Sequence, residues 1–457
     1  MNKTGVLIFL LLFIQQVLFA QEPVKTDTNV VKKFSLSQAQ QFALENNNDV
    51  KNKQIDKVIA QKTVWETTAI GLPQLSVSAS GTYNPNPPVL EMSVSIPVPI
   101  SETADPYDHQ HVEQIVNLQL GTEFGGSVDF TLSQLLFSGE YIVGLQASRT
   151  FKMMSEQNLV KSEMQIKSAV AQSYYLVLNM KENTAIVDST YKNLLSIYND
   201  MKKMYETGFM EESNIDQLSI TLNELEITLR SLEQQTLLSE KLLKLQMGLE
   251  MEDKIELTDS LSMFNFGDDL NQSLINDFNI SNNIDYQMIE TQEKLTTLSY
   301  KREVSKYLPT ISAFYRHQIQ INAPSFNFQS PDLFGLSAQL PLFTSGMRNV
   351  RVQKAKLEMD KMANMKDQVT TGLQIQFEQA RNDYSTAFQK YQLQEKNIAL
   401  ARKIYNNTLI KYKSGVVSSM DLDQAQSQML DVQSKYFRSK IEMLNAKLKM
   451  DDLSGKK

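Results

Sequence analysis

YKSGVVSSMDLD, residues 412–423, has the composition of a helical hairpin tip, and the chain carries nearly the same phrase once more, as YETGFMEESNID at 205–216. Tyr205, Gly208 and Asp216 stand 207 positions before Tyr412, Gly415 and Asp423. Each glycine suits the left-handed residue that ends a helix. Ser213-x-x-Asp216 and Ser418-x-x-Asp421 resemble capping boxes that restart a returning helix. A chain that spells one tip twice is expected to be two copies of one unit.

Reading outward from the tips gives the same answer. NNNDV at 46–50 is echoed by SNNID at 281–285, and Leu72-Pro73 by Leu308-Pro309. LSQLLFSGE (132–140) is echoed by LSAQLPLFTSG (336–346). The landmarks keep their order, and only the Leu-Pro to Leu-Phe spacing differs, because the first copy carries an insert at about 84–115 holding six of the 12 prolines. An internal repeat is read before anything else, since it sets the architecture. The first unit is assigned to 35–265 and the second to 270–453.

Each unit reads as helix, strand, strand, long helix, returning helix. Helical segments at 36–71 and 272–307 end at Leu-Pro, because proline disfavours helix at the residue before it. Alternation then sets in. Leu75, Val77 and Ala79 oppose Ser76, Ser78 and Ser80, and Val128, Phe130 and Leu132 oppose Asp129, Thr131 and Ser133. In the second unit, Phe334, Leu336, Ala338, Leu340 and Leu342 alternate in the same way. Period two with one apolar face indicates strands, placed at 74–84, 115–137, 310–322 and 333–343.

Uninterrupted helical sequence follows at 141–207 and 347–413, long enough to reach on the order of 100 Å at 1.5 Å per residue. Heptad lattices run along both. One holds Val170, Val177, Tyr191, Tyr198 and Tyr205, and another Met180, Val187, Leu194 and Met201. The second copy has Phe377, Tyr384, Tyr391, Ile398, Tyr405 and Tyr412. Sustained heptads mean coiled-coil packing, so the tyrosine stripe is read as core.

The 457-residue chain has a net charge of -7 and no cysteine. That balance, without a basic stripe, speaks against nucleic acid, and the missing cysteines exclude disulfides and thiolate metal sites. MNKT followed by GVLIFLLLFIQQVLF and Ala20-Gln21 fits a secretory signal peptide over 1–20. Beyond it no window has the apolar run of a membrane helix. No nucleophile–base pair or phosphate-binding glycine loop stands out. His109-Gln-His111 is assigned to a loop without a metal, and no cofactor is expected.

Four strands of about ten residues have the length of membrane-crossing strands. Open sheet edges are forbidden in lipid, and four strands are too few to close a barrel. Copies must therefore pool strands, a dimer giving eight and a trimer twelve. A barrel continuing into such helices would be a duct, with the tips at its far end. Rival readings are a periplasmic coiled-coil adaptor, which predicts one hairpin flanked by β modules, and a soluble scaffold, which predicts no amphipathic strands.

The doubled unit, the Leu-Pro before the first strand, the Leu-Phe-x-x-Gly after the second, and the Tyr-x-x-Gly…Asp tip in each half resemble the TolC family of outer-membrane efflux proteins over nearly the whole mature chain. The resemblance implies an α+β membrane protein: a homotrimer with a 12-stranded barrel in outer-membrane lipid and a periplasmic helical coiled-coil barrel. It also implies a non-enzymatic exit duct for efflux or type I secretion, partnered by a periplasmic adaptor and an inner-membrane transporter. Carried over residue by residue, it nominates Tyr205, Gly208, Tyr412 and Gly415 as adaptor-contact tips. It places Asp421 at the first acidic position of a pore constriction. Gln424 fills the second, with Asp423 one residue earlier, so the double acidic ring of the family is altered here. Asn214 stands where Asp421 does in the other copy, beside Glu211 and Glu212.

Overall fold

The structure is a computed structural model, and it describes residues 31–99, 109–119, 121–264, 278–323 and 330–455. The signal peptide expected at 1–20 lies outside the described residues.

A short strand β1 (Lys32–Phe34) leads into α1 (Leu36–Asn46) and α2 (Asn48–Ala69). Strands β2 (Gln74–Tyr83), β3 (Val89–Pro99), β4 (His109–Gln119) and β5 (Phe124–Ser138) follow. Then come the long α3 (Gly139–Glu206), its returning partner α4 (Glu212–Met247) and β6 (Ile255–Leu257). The second half runs α5 (Ile284–Ser305), β7 (Thr310–Ile321), β8 (Asp332–Gln339), α6 (Met347–Lys413) and α7 (Ser419–Ser454). No helix among the described residues is long and apolar enough to cross a membrane.

Several boundaries differ from the sequence reading. The segment expected to be one helix over 36–71 is broken at Asn47, whose backbone is extended (φ -63, ψ 133). Its side chain donates to the carbonyl of Gln246 at 2.9 Å, fixing the break against α4. The strand expected over 115–137 is two strands: β4 ends at Gln119 and β5 begins at Phe124. Gly121 sits in the gap, where a Cβ would come within 3.1 Å of the Pro88 ring. Leu340 and Leu342 continue the alternation but lie past the end of β8, on the approach to α6. His109-Gln-His111 opens β4 instead of forming a loop.

Packing does not follow the repeats. The chain divides into two compact units, one from the described residues of 1–48, 165–276 and 382–449, the other from those of 49–164, 277–381 and 450–457. Each unit draws on both halves of the sequence, because the two long helices contribute a stretch to each.

In the first unit, one apolar layer joins four helices. Val187, Leu194, Ile197 and Met201 of α3 meet Leu218, Leu222 and Leu225 of α4, Tyr405 and Tyr412 of α6, and Leu422 and Met429 of α7. The heptad positions at 187, 194, 201, 405 and 412 are thus core, as their spacing requires. Tyr205, on the same lattice as Tyr198, is exposed instead. At the N-terminal side, β1 pairs parallel with β6. The Tyr174 hydroxyl closes this clasp by donating to the Phe34 carbonyl at 2.9 Å, and burial pushes the phenol well above its ordinary range.

In the second unit, four strands form one antiparallel sheet in the order β2-β5-β7-β8. Register pairs Leu75 with Leu132, Val77 with Phe130 and Ala79 with Val128. It pairs Val128 with Ile319, Ala313 with Leu336 and Tyr315 with Phe334. Directly opposed residues share a face, so these side chains build one mainly apolar surface, on which His317 and Asp332, 2.8 Å apart, lie in the row of Val77 and Phe130; Ser76, Ser78, Asp129, Thr131, Gln318 and Arg316 share the other. Tyr83–Phe124 and Tyr315–Phe334 add aromatic contacts at 4.6 and 4.5 Å. A bulge between Leu135 and Phe137 shifts the ladder, which puts Phe137 opposite Ile311.

Leu194 is fully buried in the four-helix layer. Leu194→Ala is expected to cost about 3 kcal/mol of stability, the usual loss for a leucine truncated in a close-packed core, read from the urea dependence of the helical circular dichroism. The exposed Leu400→Ala should move it by less than about 0.5 kcal/mol in the isolated chain.

Candidate functional site: the paired hairpin tips

The tips lie in the first unit, and their geometry follows from two glycines. Gly208 (φ 78) and Gly415 (φ 70) both adopt the left-handed conformation. Around Gly208, its N–H donates to the Tyr205 carbonyl and the Phe209 N–H to the Met204 carbonyl, both at 2.8 Å. Around Gly415, the Gly415 N–H reaches the Tyr412 carbonyl at 3.0 Å and the Val416 N–H the Lys411 carbonyl at 2.9 Å. Both are Schellman closures, which satisfy carbonyls a helix end otherwise leaves without a donor.

The returning helices start differently. Ser418 caps α7 in a full reciprocal box: Asp421 N–H donates to Ser418 Oγ at 3.2 Å, and Asp421 Oδ2 accepts from the Ser418 N–H at 2.9 Å and hydroxyl at 2.7 Å. The corresponding box expected at Ser213-x-x-Asp216 does not form. Helix α4 begins too early for it, with Glu211 at the N-cap and no side-chain cap bond. Ser213 is already inside the first turn, where its hydroxyl cannot serve as the cap acceptor. Glu212 in the first turn compensates electrostatically, as a carboxylate favours the positive end of a helix.

The two hairpins are tied to each other side by side. Thr221 Oγ1 of α4 donates to Asp423 Oδ1 of α7 at 2.9 Å. Ser419 Oγ lies 2.9 Å from Asn214 Oδ1 and 3.2 Å from Gln217 Oε1, as donor. So Asp423 is a half-buried link between hairpins, Asp421 an exposed capping carboxylate, and Gln424 an exposed side chain on the next position. The serine bonds hold the Asp421 carboxyl below its ordinary value of 3.8. Tyr412 is buried, which raises its phenol, whereas Tyr205 is exposed. The repeat therefore places equivalent tyrosines in different surroundings.

Sequence reasoning passed over the residues next to the glycines. Phe209 is 80% exposed and Val416 71%, with Met420 at 66%. A Schellman closure commonly packs the residue after the glycine back on its helix, so an apolar residue there reads as part of the cap in the sequence, and only the folded chain shows Phe209 and Val416 open to solvent. Together the tips present apolar side chains on a rim with carboxylates from Asp421, Glu211 and Glu212, all exposed. Such a surface suits a partner protein and repels anions.

Comparison with known proteins bears on the fold that carries these tips. Residues 279–456 match the family model described as outer membrane efflux protein. No curated protein sequence matches the chain. Among solved structures, CusC superposes with a TM-score of 0.71 at 15% identity over 92% of each chain. The outer membrane channel CmeC of Campylobacter jejuni gives 0.70 at 17%, covering 92% of this chain and 85% of that one. The open-state outer membrane channel MtrE of Neisseria gonorrhoeae gives 0.69 at 14%, covering 92% and 88%. The fold is that of these channels.

Removing the capping carboxylate tests the tip directly. Because the folded Asp421 carboxyl titrates below 3.8, its contribution is present at neutral pH and is lost as pH falls through the depressed value. Amide exchange in the first turn of α7 should accelerate as pH is lowered below about 4 after correction for the intrinsic rate. Asp421→Ala should show the accelerated exchange already at pH 7 and no further pH response there.

Proposed function

We propose, on the premise that the chain is a member of the outer membrane efflux protein family, that it is the exit duct of a tripartite efflux or type I secretion assembly. It sits in the outer membrane with its helices in the periplasm. Three copies pool their strands into a 12-stranded barrel, and a periplasmic adaptor links the helical end to an inner-membrane transporter. The duct is passive: it binds no cofactor and catalyses nothing.

The observation that carries this reading is the four-stranded sheet. Among the described residues, strands β2 and β8 each pair on one side only. The apolar face built on Leu75, Val77, Phe130, Leu132, Phe334 and Leu336 is exposed along its length. In hydrocarbon such a face is favoured while an open edge is not, and joining β2 of one copy to β8 of the next removes both edges. The helices give a second, independent support. On α4, Ile220, Ile227, Leu238 and Leu245 form an exposed apolar line apart from the buried Leu218, Leu222 and Leu225. Leu393, Leu400 and Ile404 do the same on α6. A helix carrying a buried seam and an exposed one has partners on both sides, and the second partner is another copy.

At the tips, Phe209 and Val416, beside Gly208 and Gly415 and near Tyr205 and Tyr412, form the adaptor-docking rim. Asp421, Asp423 and Gln424 from three copies form the constriction, whose summed negative field admits cations more readily than anions. Widening it requires the hairpins to part, which breaks the Thr221–Asp423 and Ser419–Asn214 links.

Two measurements check this. Protein extracted from the outer membrane in mild detergent should give the mass of three chains by light scattering with detergent subtracted, and a monomer would end the barrel reading. In planar bilayers, Asp421→Ala combined with Asp423→Ala should lower cation preference and raise conductance. Unchanged values would remove these residues from the constriction and leave the duct intact.

A further inference from the structure

Strands β3 and β4 pair with each other and with no other strand among the described residues. They prolong the β2–β5 ribbon, since Tyr83 pairs with Phe124 and, after a break, Val89 with Gln119. The break is Asn84-Pro85-Asn86-Pro87-Pro88 on one side, with Gly121 against Pro88 on the other. One bond spans it, from the Asn84 N–H to the Glu123 carbonyl at 2.7 Å.

This hairpin is two-faced. Register sets Met92 opposite Val116, Val94 opposite Gln114 and Ile96 opposite Val112. With Leu90, these give one apolar face, and Leu90, Met92, Val94, Ile96, Val112 and Val116 are all exposed in the single chain. The other face is mainly polar. It carries Glu91, Ser93, Ser95, His111 and Glu113, with Ser95 Oγ 3.3 Å from His111 Nδ1, and Val89 and Ile115 as its large apolar members. A lone two-stranded hairpin is marginal in water, and an apolar strip of this kind marks an interaction surface.

Hydrocarbon does not supply the cover. The ten residues of β2 already extend about 33 Å at ~3.3 Å per residue. At a tilt of about 40° that length covers the roughly 25 Å apolar band of an outer-membrane barrel. The hairpin adds eleven-residue strands beyond it. Nor is pairing through the β3 edge the mode, since Pro97 and Pro99 interrupt the donors along β3, and proline on an edge blocks strand addition. Association on the β2 side, where the next copy stands in the proposed barrel, must therefore use the face. The hairpin grows from β2, the strand that joins the next copy in the proposed barrel, so one hairpin from each copy stands around a single mouth.

Resting on that assembly, we propose that the β3–β4 hairpins of the copies pack on one another through the Leu90–Met92–Val94–Ile96 face and form a cap over the outer mouth of the duct. Their polar faces, with Glu91 and Glu113, turn to water. The occupant of each apolar face is the same face of another copy.

The chain contains no cysteine, so one introduced thiol reports only on contacts between copies. Met92→Cys and Ile96→Cys, each alone, are oxidised in purified detergent-solubilised full-length protein and in vesicles of lipopolysaccharide and phospholipid. Covalent dimers are expected from both on denaturing gels, and none from Ser93→Cys on the opposite face. Light scattering on each variant first establishes that it assembles. Dimers absent from assembled Met92→Cys and Ile96→Cys, or equal from Ser93→Cys, overturn the cap. So does a fluorophore attached to the thiol of Ile96→Cys that is quenched by lipid-borne quencher, which would assign the face to lipid. If the unmodified protein itself fails to assemble, the barrel reading falls before the cap is reached. As a second measurement, replacing 89–119 by two glycines should preserve assembly and raise single-channel conductance, and an unchanged conductance would argue that no cap stands over the mouth.

Discussion

A strand edge carries a row of N–H and C=O groups that must be satisfied by another strand or by water, and in this chain the edges of β2 and β8 have neither once their apolar face is placed in lipid. One row of the apolar face crosses all four strands, because the register aligns Leu75, Leu132, Tyr315 and Phe334 on one side. In the proposed assembly the copies pair with one another, since four strands cannot bend far enough to meet themselves. The same proposed symmetry gives the apolar side chains that α4 and α6 keep exposed in the single chain a partner.

Packing within the chain explains the long helices. A helix of 68 residues, as in α3, draws most of its stability from the faces it buries. Here α3 joins one compact unit through residues before 165 and the other through residues after it. Its core changes character along the way. Near the clasp of β1 and β6 it buries Tyr174 with a satisfied hydroxyl; toward the tip it buries Val187, Leu194 and Met201. Polar links such as Asn179 Nδ2 to the Phe437 carbonyl, at 3.4 Å, and Lys440 to Glu182, at 3.1 Å, fix the register of α3 against α7 at intermediate positions.

The two tips share a backbone closure and differ in their side chains. Both turns close identically around a left-handed glycine, because the Schellman geometry depends on the backbone alone. Their side chains differ. Ser418 and Asp421 complete a reciprocal cap that Ser213 and Asp216 do not, and Asp423 is held by Thr221 of the other hairpin. The two hairpins of one chain are thus unequal: one is self-capped, while the other contributes Thr221 and Asn214 to hold its neighbour.

Much of this was legible in the residues. Period-two alternation placed β2, β8 and the core of β5, since a sheet with one buried or lipid-facing side forces that pattern; heptads placed α3 and α6; turn glycines placed both tips. These signals are local, and the residues within each element suffice for them. Whatever depends on residues far apart needed the folded chain. The break at Asn47 is held by Gln246, 199 positions away. Gly121, in the gap between β4 and β5, lies against Pro88 of the facing segment. Asp423 is set by Thr221, 202 positions before it. Compact units that cut across the repeats could not be read from repeats at all. Sequence periodicity reports which face of an element is apolar; which other element covers that face is decided by packing in three dimensions.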